Sequence, residues 1–325
     1  MINSGKYSAA GEMLLFSAGA VIFYELSAYF VIFGIPLTVL YRRRGFSAGL
    51  YGCGITAAGI AAMKIFRIWT SSVSASVRGE LLGIALVVPV SFLIGLVILE
   101  CPRFGKLRIW QRLVFAVFTA ALVYVPLLYL LLTSSELDMM LHAQVDAVLK
   151  AVQDNRGGGP GLFPVVSTED LVRMSREVFL NTFLLGYCCT LSANWVIGVK
   201  MAMRMKGETG EFPSYRTFRM PDRAVYVFLV SWAVVFTALF RDLGIIGVAG
   251  WNTALLVSFL YMCQGIGIIK VRTEAVPRGF KLIAMVLCFT LVFSAGIVFI
   301  LGIMAGVSIL GVSELWISYR NKLRS

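Results

Sequence analysis

Apolar residues along this chain gather into long runs, roughly 10–24, 27–41, 46–66, 81–99, 113–133, 177–199, 224–240, 245–269, 282–300 and 303–318, each closed by charged or turn-forming residues. Most reach the roughly 17–25 residues a helix needs to cross about 30 Å of hydrocarbon. The runs are unbroken rather than alternating, which predicts helices and not the strands of a barrel. The expected architecture is an all-α polytopic transmembrane bundle of roughly eight to ten spans, with ten preferred, treated as a single membrane domain over 1–325.

Two stretches carry the ambiguity in that count. Residues 10–41 read as one over-long tilted helix or as two short ones, and Glu25 with Pro36 favours a break near Glu25, which then occupies an exposed turn. Residues 282–318 exceed one span, and a turn at Gly302 to Gly306 would divide them.

The one long polar segment, 134–176, also has a pattern. Leu137, Leu141, Val145, Val148, Leu149 and Val152 recur at helical spacing, Ser135 with Asp138 resembles a capping box, and Gly157 follows. An amphipathic helix of about 20 residues is expected outside the cytoplasm, on the membrane surface or against the bundle. After a Gly/Pro linker from Gly157 to Pro164, Ser167 is placed to cap the helix that enters the sixth run.

Composition agrees with the pattern. The chain is 59 % hydrophobic and 14 % charged, with a mean hydropathy of +0.85, too apolar for a water-covered surface. The net charge of +12 lies in short connections. Arg42, Arg43 and Arg44, then Arg103, Lys106, Arg108 and Arg112, then the basic loop 200–222, then Lys270 to Lys281, and finally Arg320 to Arg324 all fall on one face if there are ten spans. That face is cytoplasmic by the positive-inside rule, which places both termini there and explains the charge without a nucleic-acid partner. Lys64, Arg67 and Arg78 in the 64–80 connection are the exception. The first run follows a single Lys and reads as an uncleaved helix, since further spans and no soluble domain come after it.

Candidate chemistry is sparse. Six cysteines lie in or beside apolar runs without C-x-x-C spacing, so neither a disulfide framework nor a zinc site is expected. The single histidine, His142, belongs to a ladder Asp138, His142, Asp146, Lys150 on one helix face. The ladder has donors for a metal, but a solvated face of i, i+4 pairs explains the same spacing and is the expected reading, so no metal site is expected. With no acid/base pair inside the spans, no enzymatic activity and no cofactor are expected.

Polar groups inside spans are costly and face partners or cavities. Tyr187, Thr190 and Asn194 share a face of the sixth run, and Asn252 and Gln264 lie in the eighth. Hydrogen bonds between helices account for them; the alternative is a small-molecule site lined by Tyr187, Asn194, Asn252 and Gln264. Gly54, Ala58 and Ala62, and the pair Gly302 and Gly306, suit close packing within the chain, while Gly265 and Gly267 beside Gln264 suggest a close crossing or a local unwinding. Arg42, Arg43, Arg44, Arg216 and Arg219 are candidates for anionic lipid headgroups or a membrane-protein partner.

Four segments, YRRRGFSAGL after the second run, YRTFRMPD before the seventh, YMCQGIGI in the eighth and the closing LGVSELWISYRNK, resemble in order and placement the YybS-like bacterial membrane proteins, a domain of unknown function. The resemblance implies a bacterial cytoplasmic-membrane protein distantly similar in fold to the substrate-binding subunits of energy-coupling-factor transporters, with the outer loop as an elaboration. A non-enzymatic protein that binds or moves a small solute is the leading expectation. A structural or scaffolding role in the cell envelope is the alternative.

Overall fold

The computed structural model describes residues 8–26, 32–71, 75–154, 167–207, 218–274, 276–277, 279–280, 286, 301–317 and 319. The chain divides into two compact units, Met1–Thr209 and Gly210–Ser325, with the boundary in the basic loop 200–222. All regular structure among the described residues is helical.

The first unit contains α1 (Ala9–Glu25), α2 (Gly34–Arg44), α3 (Phe46–Thr70), α4 (Ala75–Glu100), α5 (Ile109–Thr133), α6 (Ser135–Asp154) and α7 (Thr168–Lys206). Helix α2 lies at its centre, packed against α1, α3, α4 and α7, and every residue from Gly34 to Tyr41 is buried. An apolar helix covered on all sides has no lipid-facing stripe, so its residues need no amphipathic pattern. Gly198 lets α7 approach closely, since a Cβ there would lie 3.1 Å from the Ile35 carbonyl oxygen. Between α2 and α3 the chain reverses at Gly45, whose φ of 90° is a conformation that side chains resist.

An interior proline shapes the contacts of α4. Pro89 has no N–H to give the carbonyl four residues earlier. That carbonyl, of Ala85, accepts the Tyr24 hydroxyl instead, at 3.2 Å. From Tyr24 a chain of aromatic contacts crosses the unit: Phe33 at 5.3 Å, Phe92 at 4.7 Å from Phe33, and Tyr187 at 6.3 Å from Phe92.

The second unit contains α8 (Ala224–Ala238), α9 (Ile245–Arg272) and α10 (Leu301–Ser313). Helices α9 and α10 cross closely: a Cβ on Gly265 would overlap the Val307 carbonyl oxygen, and one on Gly311 would overlap that of Tyr261.

Several sequence expectations coincide with these bounds. The runs 46–66, 81–99, 113–133, 177–199 and 245–269 lie within α3, α4, α5, α7 and α9, the five helices among the described residues that are long and apolar enough to cross a membrane. The amphipathic pattern forms the 20-residue α6, and the Ser167 hydroxyl caps α7 by accepting the Asp170 N–H at 3.1 Å. The run 282–300 apart from Val286, the Gly157 to Pro164 linker, Arg216 and Cys288 lie outside the described residues.

Other expectations need correction. Gly302 to Gly306 is not a turn but part of α10; intrahelical hydrogen bonding satisfies the backbone, and in an apolar setting that need outweighs the weak helix preference of glycine. Among the described residues that pair approaches no neighbour, a Cβ on either meeting nothing within 4 Å. Gly54, Ala58 and Ala62 are likewise exposed, because α3 packs through the face bearing Gly49, Gly52, Thr56 and Ile60. Helix α6 begins one residue earlier than the capping-box pattern suggests: Ser134 supplies the carbonyl for the Asp138 N–H at 3.2 Å.

Candidate functional site

Three buried carboxylates organise the first unit. Glu12, in the first turn of α1, accepts from Arg43 at 3.1 Å and Arg44 at 2.7 Å. Glu100, at the end of α4, uses one oxygen to accept from Arg42 Nε at 3.0 Å and from the Trp195 indole at 2.8 Å, and the Arg42 guanidinium lies 5.7 Å from the Trp195 ring. The basic triplet after the second run is thus tied to acids of two other helices, although Arg42 and Arg44 remain exposed. In these charge-assisted bonds the geometry fixes where α2 ends relative to α1, α4 and α7.

The third carboxylate is Glu25. Helix α1 does end at this residue, as Glu25 and Pro36 suggested. However, its side chain is buried, not in an exposed turn, and lies within ion-pair distance of Lys64 (3.4 Å) and Arg67 (2.7 Å) of α3. Lys64 also lies 5.1 Å from the centre of the Tyr24 ring. Two of the basic residues that broke the charge pattern are therefore partnered within the unit, which removes much of the cost of basic charge at that end. We expect Glu25→Gln to destabilise the protein more than the double substitution Glu25→Gln with Lys64→Met, measured as thermal unfolding in detergent, because the single change leaves two cations facing no acid.

The α6 ladder serves as a docking seam. Asp138 pairs with Arg176 and Asp146 accepts from Thr168, both on α7, while His142 Nδ1 lies 2.9 Å from the Asp138 carbonyl oxygen. Asp138 and Asp146 are eight residues apart, as are Thr168 and Arg176, so two antiparallel helices meet in register. The acids of the ladder thus meet α7 along a partly exposed face, on which Asp138 and His142 also pair at i, i+4 as the solvated-face reading expects. No group of metal-ligating side chains occurs among the described residues.

Of the four residues considered for a small-molecule site, Tyr187 and Asn194 lie in the first unit and Asn252 and Gln264 in the second. All four are buried. The Tyr187 hydroxyl donates to the Ser91 carbonyl at 3.0 Å, and its position is open because Gly95 has no side chain there. Asn194 and Asn252 donate to carbonyls of their own helices, Thr190 at 2.8 Å and Val248 at 3.0 Å. Gln264 accepts the Met220 N–H at 2.7 Å and donates to the Gly311 carbonyl and to Glu314, each at 3.0 Å. This amide joins the segment before α8 to α9 and to the end of α10. Glu314 was not anticipated from sequence; its signal is a lone acid inside the apolar run 303–318. Arg219 is exposed and 3.9 Å from Asp222.

A groove of about 450 Å³ opens between α8 and α9, lined by Tyr226, Val230, Ser231, Val234, Ile246 and Gly250 among others. It is apolar and contains none of the four polar residues. Five cysteines, Cys53, Cys101, Cys188, Cys189 and Cys263, are free thiols.

Long apolar helices pinned by buried ion pairs and backbone-directed polar side chains define a multi-pass membrane protein. The chain belongs to the family described as "Predicted membrane protein (DUF2232)", which it matches over residues 13–304. No curated protein and no solved structure matches it.

Proposed function

We propose that this is a non-enzymatic structural or scaffolding protein of the bacterial cytoplasmic membrane, which presents α6 and the amino-terminal part of α7 outside the cytoplasm as a docking arm. The observation that carries this reading is the length of α7. Its 39 residues extend about 58 Å at 1.5 Å per residue, well beyond the roughly 30 Å of hydrocarbon, and the excess at its amino-terminal end is clamped to α6. The charged seam between them holds the arm, while Met139, Val148 and Met174 leave apolar surface exposed on it. In this reading the basic loops and both termini lie in the cytoplasm. The concentration of Arg42–Arg44, Arg103–Arg112 and Lys200–Lys206 beyond the Glu100 end of α2, α4 and α7 supports that orientation.

Solute binding is the second reading. The groove between α8 and α9 favours an apolar ligand for it, because the polar groups of the four buried candidates are committed to packing.

A photo-crosslinking residue at Ala147 tests the docking arm. We expect one discrete adduct in intact cells, lost when Asp138→Asn and Asp146→Asn free α6 from α7. Thermal stabilisation by a metabolite, with no adduct at Ala147, would favour the solute reading instead.

A further inference from the structure

The connection between α4 and α5 carries Arg103, Lys106 and Arg108, Arg112 follows in the first turn of α5, and no acidic residue occurs from Cys101 to Thr133. Its backbone forms a tight turn: the Phe104 N–H donates to the Cys101 carbonyl at 3.1 Å, Gly105 to Pro102 at 2.9 Å and Leu107 to Phe104 at 2.9 Å. The Phe104 ring packs on Phe115 of α5, 5.3 Å between centres. Arg112 holds the turn from within, donating to the Leu107 carbonyl at 3.3 Å and the Leu99 carbonyl at 3.1 Å. The other three cations are exposed, and among the described residues they form no ion pair. This sets them apart from neighbouring Arg42, Arg43 and Arg44, whose charges face Glu100 and Glu12.

We propose that the α4–α5 turn is a docking surface for the anionic headgroups of membrane phospholipid. The turn joins Arg78–Glu100 and Ile109–Pro126, two helices apolar and long enough to span, so it lies at a bilayer boundary. Guanidinium and ammonium groups donate charge-assisted hydrogen bonds to phosphodiester oxygens. Leu107, 38 % exposed between Lys106 and Arg108, suits the boundary between headgroups and acyl chains, a match that a water-borne acidic protein does not need. The preformed turn also means that little conformational freedom is lost on contact. The proposal requires α4 and α5 to cross the membrane and is independent of the docking arm.

The test uses the full-length protein in phosphatidylcholine vesicles containing trace spin-labelled phosphatidylglycerol or spin-labelled phosphatidylcholine, and reads the fraction of label immobilised by the protein. Wild type should select phosphatidylglycerol. Arg103→Gln with Lys106→Gln and Arg108→Gln should lose that selectivity several-fold, up to about fivefold for each charge removed, whereas Arg103→Lys with Arg108→Lys should keep it. Selectivity in wild type should also weaken with added salt. If the triple variant does not fold, Lys106→Gln alone must show a partial loss. Unchanged selectivity in the glutamine variant, or none in wild type, would overturn the proposal; if wild type lacks selectivity, an acidic protein becomes the better occupant for this turn.

Discussion

Exchange of Glu100 for alanine is expected to lower the unfolding free energy by about 2–4 kcal/mol, seen as an earlier thermal transition of the detergent-solubilised protein. One carboxylate oxygen accepts both the Arg42 guanidinium and the Trp195 indole N–H, so its loss removes two donors' partner at once and unpins α2, α4 and α7 from one another. The Arg42 side chain is 39 % exposed, and water recovers part of the cost there. The indole has less recourse, since Trp195 is buried. Glu100→Gln keeps an acceptor for the indole and should fall between wild type and the alanine variant. A wild-type transition for Glu100→Ala would show that the pair does not fasten these helices.

The second large effect is expected at Gly311. Alanine there drives a methyl group into the Tyr261 carbonyl oxygen, which belongs to a helix backbone and cannot rotate aside. Helices α9 and α10 must separate, and the bond from Gln264 to the Gly311 carbonyl lengthens from its 3.0 Å. Overpacking of this kind costs about 1–3 kcal/mol. Gly265→Ala should behave alike, because it meets the Val307 carbonyl. Gly302→Ala and Gly306→Ala meet nothing within 4 Å among the described residues and should be neutral or stabilising, by up to about 1 kcal/mol from helix propensity. Equal losses at all four glycines would refute the assigned crossing.

These glycines illustrate what was legible in sequence. Run lengths located the long helices because hydrocarbon thickness sets a length that one sequence reveals by itself. Gly265 beside Gln264 was legible as either a close crossing or a local unwinding, and the structure shows the crossing within an unbroken α9. The series Gly54, Ala58 and Ala62 was misleading for a definite reason: spacing shows which residues share a helix face, not which face meets a neighbour. The carboxylates show the same limit. Glu12 and Glu100 lie at the edges of apolar runs, where an acid looks like an ordinary boundary charge, and Arg42 to Arg44 look like residues facing headgroups. Their pairing depends on helices 31 to 58 positions apart in sequence. For Glu25 the helix break was local and therefore readable, whereas Lys64 and Arg67 were not. Similarly, the i, i+4 ladder of α6 was visible, but its partner α7 lay beyond a linker.

The central position of α2 constrains how the protein is made. Eleven helical residues cover only about 17 Å, too little to be retained in the bilayer unaided, and α7, which closes over α2, ends roughly 160 residues later. At about 5–20 residues per second, the ribosome takes on the order of ten seconds or more to deliver it. During that interval α2 has only α1, α3 and α4 for cover, so nascent chains arrested before α7 should be the ones that membrane quality-control proteases remove first.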